Sequence, residues 1–217
     1  MQIHNDLSKR AVVDSNKLSW VNSPLAGVQR RMLERDGGEM ANRATTIVRY
    51  EPDSYFNAHI HTGGEEYIVL DGIFSDEMGD FHQGMYVRNP IGSRHQPYTK
   101  DGTTILVKLS QFEVDDQDYV RLDTNRAEWL PGQIDGLQVM PLHDFGSENI
   151  ALVKWAPGTK YVSHGHPQGE EIYVLSGVFA DENGTYPAGT WIRNPADSKH
   201  TPFSDEGCVI YVKTGHL

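Results

Sequence analysis

The stretch HIHTGGEEYIVLDGIF (residues 59–74) decides the fold, because it returns as HGHPQGEEIYVLSGVF (residues 164–179) later in the same chain. Both copies keep two histidines, two glutamates and a glycine at the same spacing. Residues 59–109 align with residues 164–214 without a gap, and 23 of the 51 positions are identical. Similarity of this extent at a fixed period indicates an internal duplication.

The duplication also extends towards the amino terminus of each copy. TTIVRYEP (45–52) parallels IALVKWAP (150–157), and WVNSPLAGVQ (20–29) parallels WLPGQIDGLQ (129–138). One whole domain of about 100 residues, an ordinary size for a domain, is therefore present twice.

The joint between the copies is the polar and acidic stretch that begins at EVDDQDYV (113–120), which is typical of a surface connection. The sequence predicts a first domain over 1–112, with the repeat proper starting at about 18, a linker over 113–123 and a second domain over 124–217.

Short apolar or alternating runs indicate β-strands in each copy. Examples are TTIVRY (45–50), EYIVL (66–70) and TILVKL (104–109), and clusters of Gly, Pro, Asp and Asn separate them. Helical periodicity is weak, and one short helix is expected over 23–36. Many short strands with frequent turns predict an all-β sandwich or barrel, and a small barrel can enclose a site.

Composition excludes several classes of function. Lys plus Arg is 19 and Asp plus Glu is 30, which gives a net charge of −11. Such an acidic chain repels phosphate backbones, so no nucleic-acid binding is expected. No run approaches the roughly 18 apolar residues of a membrane span. The first twenty residues lack the apolar core of a signal peptide, and the single cysteine, Cys208, cannot form an internal disulfide. A cytoplasmic protein without membrane contact is expected.

His59 and His61 stand two positions apart in a strand pattern, so both imidazoles face one side about 6.6 Å apart along the chain. Glu65 can face them only if the chain turns in between, and TGG (62–64) supplies residues that turn readily. In the second copy, PQG (167–169) occupies the same gap.

Histidines also end a second repeated phrase, GMYVRNPIGSRH in the first copy and GTWIRNPADSKH in the second. The candidate metal ligands are therefore His59, His61, Glu65 and His95, with His164, His166, Glu170 and His200 in the second copy. Three imidazoles and one carboxylate suit Zn, Fe(II), Mn, Ni or Cu(II) better than Ca or Mg.

These phrases resemble the two motifs of the cupin family. The first motif is carried by the HxH-x3-E ligands together with Gly72 in the first copy and Gly177 in the second, and the second motif by Gly84, Pro90, Gly92 and His95, then by Gly189, Pro195 and His200. Two departures stand out. The leading glycine of the first motif is absent from the first copy, and Asp197 replaces a glycine in the second.

The wider phrase GGEEYIVLDGIFSDE…G…RNP…H resembles the cupin half of ChrR-type anti-sigma factors. The resemblance implies two tandem cupin barrels, that is, a bicupin built from double-stranded β-helices or jelly rolls, with one divalent metal (Zn, Fe, Mn or Ni) in each barrel. It also implies a small-molecule ligand or substrate, and a homodimer is a family-level expectation.

Neighbouring residues leave alternatives open. Glu66 and Glu171 could exchange roles with the adjacent glutamates or bond a ligand histidine, although strand parity turns them away. Tyr67 shares the parity of Glu65 and is expected to line the first pocket. Arg88 and Arg193 either bind an anionic ligand or anchor a turn through a salt bridge.

Two functions compete. Cupins with this ligand set include dioxygenases that cleave diketones or aromatic ketones, which makes a metal-dependent dioxygenase the first hypothesis. The alternative is a regulatory or sensing protein related to the anti-sigma factor ChrR. Because the sequence has one cysteine and begins its first repeat near residue 18, we expect neither a zinc anti-sigma domain nor sigma-factor binding in the manner of that family. The catalytic residues, the metal and the substrate stay open.

Overall fold

The structure, a computed structural model, describes all 217 residues, Met1–Leu217, and is built from short strands. The first half contains β1 (Gln2–Ile3), β2 (Ala11–Asp14), β3 (Val21–Asn22), β4 (Val28–Gly37), β5 (Ala41–Tyr50), β6 (His59–Ile60), β7 (Glu65–Asp76), β8 (Gly79–His82), β9 (Met85–Asn89), β10 (Arg94–His95) and β11 (Thr103–Leu109). The second half contains β12 (Val120–Asp123), β13 (Leu130–Pro131), β14 (Leu137–Phe145), β15 (Glu148–Trp155), β16 (Thr159–Lys160), β17 (His164–His166), β18 (Glu170–Asp181), β19 (Gly184–Pro187), β20 (Thr190–Asn194), β21 (Ser198–His200), β22 (Phe203–Ser204) and β23 (Cys208–Thr214).

The one helical element is a 3₁₀ turn over Ser15–Lys17. The helix expected over 23–36 is wrong, because most of that segment forms the ten-residue strand β4. Strand β4 pairs along its length with β5, and such tertiary pairing overrides a weak local preference. No helix in the structure is long and apolar enough to cross a lipid bilayer.

The chain divides into two compact units. The first barrel comprises Met1–Asn5 and Leu18–Ala127, and the second barrel comprises Asp6–Lys17 and Glu128–Leu217. These units differ from the boundaries drawn along the repeat, because each takes a strand from the start of the other repeat. Strand β12 pairs with β9 in the first barrel, and β2 pairs with β20 in the second.

Six equivalent strands run in the same order in both barrels, from β4 to β12 in the first and from β14 to β2 in the second, whereas β13 corresponds to β3, which also pairs with β4. The large sheet of the first barrel has the order β1-β4-β5-β11-β7-β9-β12, and that of the second has the order β13-β14-β15-β23-β18-β20-β2. A two-stranded sheet completes each unit, formed by β6 with β10 and by β17 with β21. Two tandem all-β barrels, as the resemblance implies, are confirmed.

A recurring glycine lets the longest strand of each barrel bend from one sheet to the next. The pairing register of β7 with β11 shifts just before Gly72, and beyond it β7 pairs with β8. Gly72 has φ 74°, and a Cβ there would lie 2.2 Å from the carbonyl oxygen of Gly102. Gly177 has φ 72° and a matching contact with Gly207, so no larger residue fits either bend.

The turn before the last histidine survives the loss of its glycine. Gly92 has φ 85°, and Asp197 at the equivalent place has φ 61°. Both lie in the left-handed region, which aspartate tolerates better than most residues. Asp197 therefore keeps the turn that leads into β21 and His200.

Each barrel buries its own apolar interior between the sheet faces. Val69, Phe74 and Ile105 lie in the core of the first barrel. Val174, Phe179 and Ile210 take the equivalent places in the second. The histidine strands lie at one end of each interior, since Phe74 packs near His95 and Phe179 near His200.

Candidate metal centres

The short strands β6 and β10 gather three histidines in the first barrel. Pairing sets His95 opposite His59, and the ligand nitrogens of His59, His61 and His95 all lie within 4.8 Å of one another. The turn after His61 returns the chain, and Gly64 takes φ 77°. Glu65 then faces back, with Oε2 at 3.4 Å from Nε2 of His61 and 3.5 Å from Nε2 of His95.

The second barrel repeats the arrangement. His164 lies opposite His200 in β17 and β21, and with His166 they form a triad of the same dimensions. The Oε1 and Oε2 atoms of Glu170 lie 3.5 Å from Nε2 of His166 and 3.6 Å from Nε2 of His200. The structure thus brings the eight predicted ligands together as two groups of four, one group in each barrel.

The spacing and the unused nitrogens fit a metal ion. Two atoms bound to one ion at about 2.0–2.2 Å lie roughly 3.3–3.6 Å apart at a tetrahedral angle. The histidine-to-glutamate distances above fall in or near that range. Nε2 of His61 and Nε2 of His95 are buried without any hydrogen-bond partner. Buried nitrogens of this kind are costly unless they are bound, and a metal ion would bind them.

Hydrogen bonds at the far side of the rings fix which nitrogen faces the centre. His59 Nδ1 donates to the carbonyl oxygen of Asn57 (2.8 Å), and His164 Nδ1 donates to that of Val162 (3.0 Å). A carbonyl oxygen only accepts, so Nδ1 carries the proton and Nε2 keeps its lone pair. A metal-binding imidazole is usually held in this way.

Two buried aspartates that sequence reasoning missed support the last histidine of each triad. His95 Nδ1 donates to Asp76 Oδ2 at 3.0 Å, whereas His200 Nδ1 lies 3.8 Å from Asp181 Oδ2. The signal was available, because FSDE (74–77) and FADE (179–182) repeat the aspartate as faithfully as the ligands. Nothing local distinguishes it from an ordinary turn residue.

Two asparagines of the repeated RNP phrase hold the ligand glutamates. Asn89 Nδ2 donates to Glu65 Oε2 (3.0 Å), and Asn194 Nδ2 donates to Glu170 Oε2 (2.9 Å). These bonds orient each carboxylate towards its histidines.

An arginine donates a hydrogen bond to each of these asparagines. Each arginine lies in or next to the strand that the barrel takes from the other repeat, β12 in the first barrel and β2 in the second. Arg121 of β12 donates to Asn89 Oδ1, and Arg10, just before β2, donates to Asn194 Oδ1. Arg10 also bonds Asp181 and Tyr186, at 2.7 and 2.8 Å. The exchanged strands therefore support the site of the barrel that they join.

The neighbours of the ligands face away from the histidines. Glu66 accepts hydrogen bonds from Tyr86 and Arg88, and Arg88 also pairs with Asp116. Arg88 is thus fully buried in ion pairs within the first barrel rather than open to an anionic ligand.

In the second barrel, Glu171 and Arg193 are neighbours across β18 and β20, and Arg193 also donates to the carbonyl oxygen of Asp6.

Tyr67 lies in the core of the first barrel, 1% exposed, with its ring packed on Phe74. Its hydroxyl has no hydrogen-bond partner.

The electrostatics favour the neutral forms of His61 and His166 and the ionised form of Glu65. Burial lowers the pKa of His61 and of His166 despite the opposing charge of the nearby glutamate. Burial would raise the pKa of Glu65, but His61, His95 and the hydrogen bond from Asn89 outweigh it and lower that pKa. Neutral imidazoles and a carboxylate are the forms that bind a metal.

The last histidine of each triad behaves differently. Burial would lower the pKa of His95, but the hydrogen bond to Asp76 and the charges of Glu65 and Asp76 raise it. Burial would also lower the pKa of His200, but the nearby carboxylates of Asp181 and Glu170 raise it. A carboxylate behind an imidazole makes the ring a stronger base and therefore a stronger ligand.

Fold and site together define the class of protein: a duplicated cupin with a cluster of candidate metal-binding side chains in each barrel. The ChrR cupin-like domain family matches residues 8–113 and residues 117–217. The chain therefore belongs to that family, in agreement with the resemblance carried by its motifs.

A curated relative supports the same family. The anti-sigma-E factor ChrR of Cereibacter sphaeroides is 34% identical over 102 residues, which are 45% of this chain and 46% of that protein. The chain thus matches about half of the length of this relative.

Solved structures show the same fold at low sequence identity. A provisionally assigned dioxygenase from Nostoc punctiforme has a TM-score of 0.80 and 16% identity, covering 97% of this chain and 84% of its own. A provisionally assigned glyoxylate-induced protein from Pseudomonas aeruginosa has a TM-score of 0.78 and 14% identity, covering 98% and 89%. At such identities the likeness concerns the fold alone.

Proposed function

We propose that this chain is a two-site metalloprotein in which each barrel holds one divalent transition metal through three histidines and one glutamate. The ligands would be His59, His61, Glu65 and His95 in the first barrel and His164, His166, Glu170 and His200 in the second. One observation carries the proposal: in both barrels three histidine nitrogens lie within 4.8 Å of one another, and two of the three histidines lie 3.4–3.6 Å from a glutamate carboxylate.

We further propose that the protein binds a small molecule at the metal and acts as a dioxygenase-type enzyme. Such a metal supplies Lewis-acid or redox chemistry at a coordination position left open by four protein ligands. The chain orients the ligands through Asn89 and Asn194, and its apolar walls exclude water from the reacting molecule. Zn, Fe, Mn and Ni all suit the donor set, so the experiment must identify the metal.

The first test is elemental analysis of the full chain purified from metal-replete cells, with oxygen consumption measured on the same sample against β-diketones and aromatic ketones. Two equivalents of iron, manganese or nickel with oxygen uptake would support the enzyme. Metal bound at both sites without uptake on any substrate would contradict the dioxygenase chemistry and leave the two-site metalloprotein standing.

A sensing function is the second candidate, and the similarity to the anti-sigma-E factor ChrR favours it. It predicts two equivalents of zinc, no turnover, and a protein partner whose binding depends on the metal. Size-exclusion chromatography of the zinc-loaded chain with a sigma-E-type factor tests the partner named for that relative. We expect no complex, and a stable metal-dependent complex would favour the sensor.

A further inference from the structure

We infer that the second barrel binds a small monoanionic molecule with an apolar body, and that the interior of the first barrel does not. The inference rests on the proposed function, because a metal ion in the second barrel supplies the positive charge.

The second barrel contains a cavity of about 300 Å³ that reaches the histidine triad. This volume lies at the small end of the range for ligand pockets, which suits a molecule of roughly ten non-hydrogen atoms. Its walls are mostly apolar, and they include Val139, Val153, Trp155, Phe179 and Ile210. Such walls suit a ligand with a hydrocarbon body better than a sugar or a phosphate.

Trp155 indicates that the ligand carries a hydrogen-bond acceptor. It lines the cavity and is only 6% exposed, and its Nε1 is buried without a hydrogen-bond partner. The indole N–H is a donor only. Because no protein atom accepts its hydrogen, an acceptor oxygen in the cavity would relieve the cost of burying it. The other large polar side chain of the wall, Tyr161, already donates to Gln133.

The charges around the cavity indicate that the ligand carries one negative charge. Glu170 is the one acidic residue of the lining, and no lysine or arginine lines the cavity. Imidazoles bind a metal in their neutral form, so one bound divalent ion and one carboxylate leave a single positive charge. One negative charge on the ligand neutralises it, whereas a second would be buried without a partner. A carboxylate or an enolate on an apolar body meets all of these conditions.

The first barrel is more tightly packed at the equivalent places. Three apolar positions that are buried there are partly exposed in the second barrel. The pairs are Val28 with Leu137, Val48 with Val153, and Val107 with Val212. The larger Tyr67 also stands where the second barrel has Ile172, and it is packed into the core. The interior beside the repeated motif is therefore more tightly packed in the first barrel than in the second.

The experiment uses the full chain loaded with zinc, which is diamagnetic, and follows the indole N–H resonances by ¹H–¹⁵N NMR. The chain has four tryptophans, and Trp155→Phe identifies the peak of Trp155. Hexanoate is the probe, with hexan-1-ol as its neutral analogue and adipate as its dianion. We expect hexanoate to shift the Trp155 peak in a saturable way, and both analogues to bind at least about tenfold more weakly.

Two variants form a matched pair. Val153→Phe narrows the cavity and should weaken hexanoate binding at least about tenfold, whereas Val48→Phe, at the equivalent place in the first barrel, should change it less than about twofold. Trp155→Phe keeps an aromatic ring but removes the donor, so it should also weaken binding, read from the chemical shifts of backbone amides around the cavity. It provides the test should Val153→Phe fail to fold.

The outcomes separate the inference from the function beneath it. If zinc analysis gives two ions per chain but hexanoate shifts no resonance of the second barrel, the inference is overturned and the two-site metalloprotein stands. Equal binding of adipate or hexan-1-ol overturns it as well, and so does an equal effect of the two valine substitutions. If the chain binds no zinc, the proposed function fails and the inference fails with it.

Discussion

The two barrels carry the same pattern of four candidate ligands but support it differently. In the first, Asp76 is 3.0 Å from His95 and bonds it directly. In the second, Asp181 lies 3.8 Å from His200 and is shared with Arg10 and Tyr186. The duplication has kept the residues that face the centre, while the contacts behind them and the space in front of them have diverged. Identical ligands therefore do not imply identical sites.

Removing a ligand histidine should have the largest effect. We expect His59→Ala to reduce the metal content from two ions per chain to one, and His164→Ala to do the same at the other site, because the triads use separate residues. Metal analysis after gel filtration checks this. If either substitution left the content unchanged, the ligand assignment for that barrel would be wrong.

Thiol reactivity should report the closure of each barrel. Burial raises the pKa of Cys208 to about 11, so at pH 8 we expect alkylation by iodoacetamide to be about a hundredfold slower in the folded chain than in urea. The rate should rise with pH up to that pKa, because the thiolate is the reactive form.

Thr103 is the equivalent position in the first barrel and is also buried. The double variant Thr103→Cys with Cys208→Thr therefore provides the matched probe. Equal native-state rates at the two positions would mean that both barrels open equally often, and would weaken the contrast drawn between them.

The aspartates behind the histidines should matter unequally. Asp76→Asn should weaken metal binding at the first site by about 10–100-fold, since partners of this kind contribute that much to affinity. Asp181→Asn should weaken the second site less, because its distance from His200 is longer. Competition with a chromophoric chelator in the single-site backgrounds His164→Ala and His59→Ala measures each site alone. An equal loss at both would remove the distinction.

The arginines of the exchanged segments should have the smallest effect. Arg10→Met should weaken the second site by about three- to tenfold, because it acts through Asn194 and Asp181 rather than on a ligand. Arg121→Met should affect the first site alone. The same chelator competition provides the measurement, and an effect of Arg10→Met on the first site would contradict the assignment.

Much of this architecture could be predicted from the sequence, because its signals are local. TGG before Glu65 and PQG before Glu170 both indicate turns, and the strands show their period. Because the duplication repeats the ligand spacing, these signals predict an all-β fold and the grouping of the candidate ligands. The prediction of a helix over 23–36 is wrong because the segment Val28–Gly37 pairs with the neighbouring strand β5. That pairing depends on residues outside the segment 23–36.

The sequence by itself determined that this protein has two copies of one cupin barrel and that each copy carries three histidines and a glutamate at matching spacing. Only the tertiary structure decided that Arg10 and Arg121 reach the sites of the barrels that they join, that Arg88 is buried in ion pairs, and that the second barrel has a cavity of about 300 Å³ at its histidine triad. The physical reason is that periodicity and turns depend on neighbouring residues, whereas cavity volume and buried ion pairs depend on side chains that meet from distant parts of the chain.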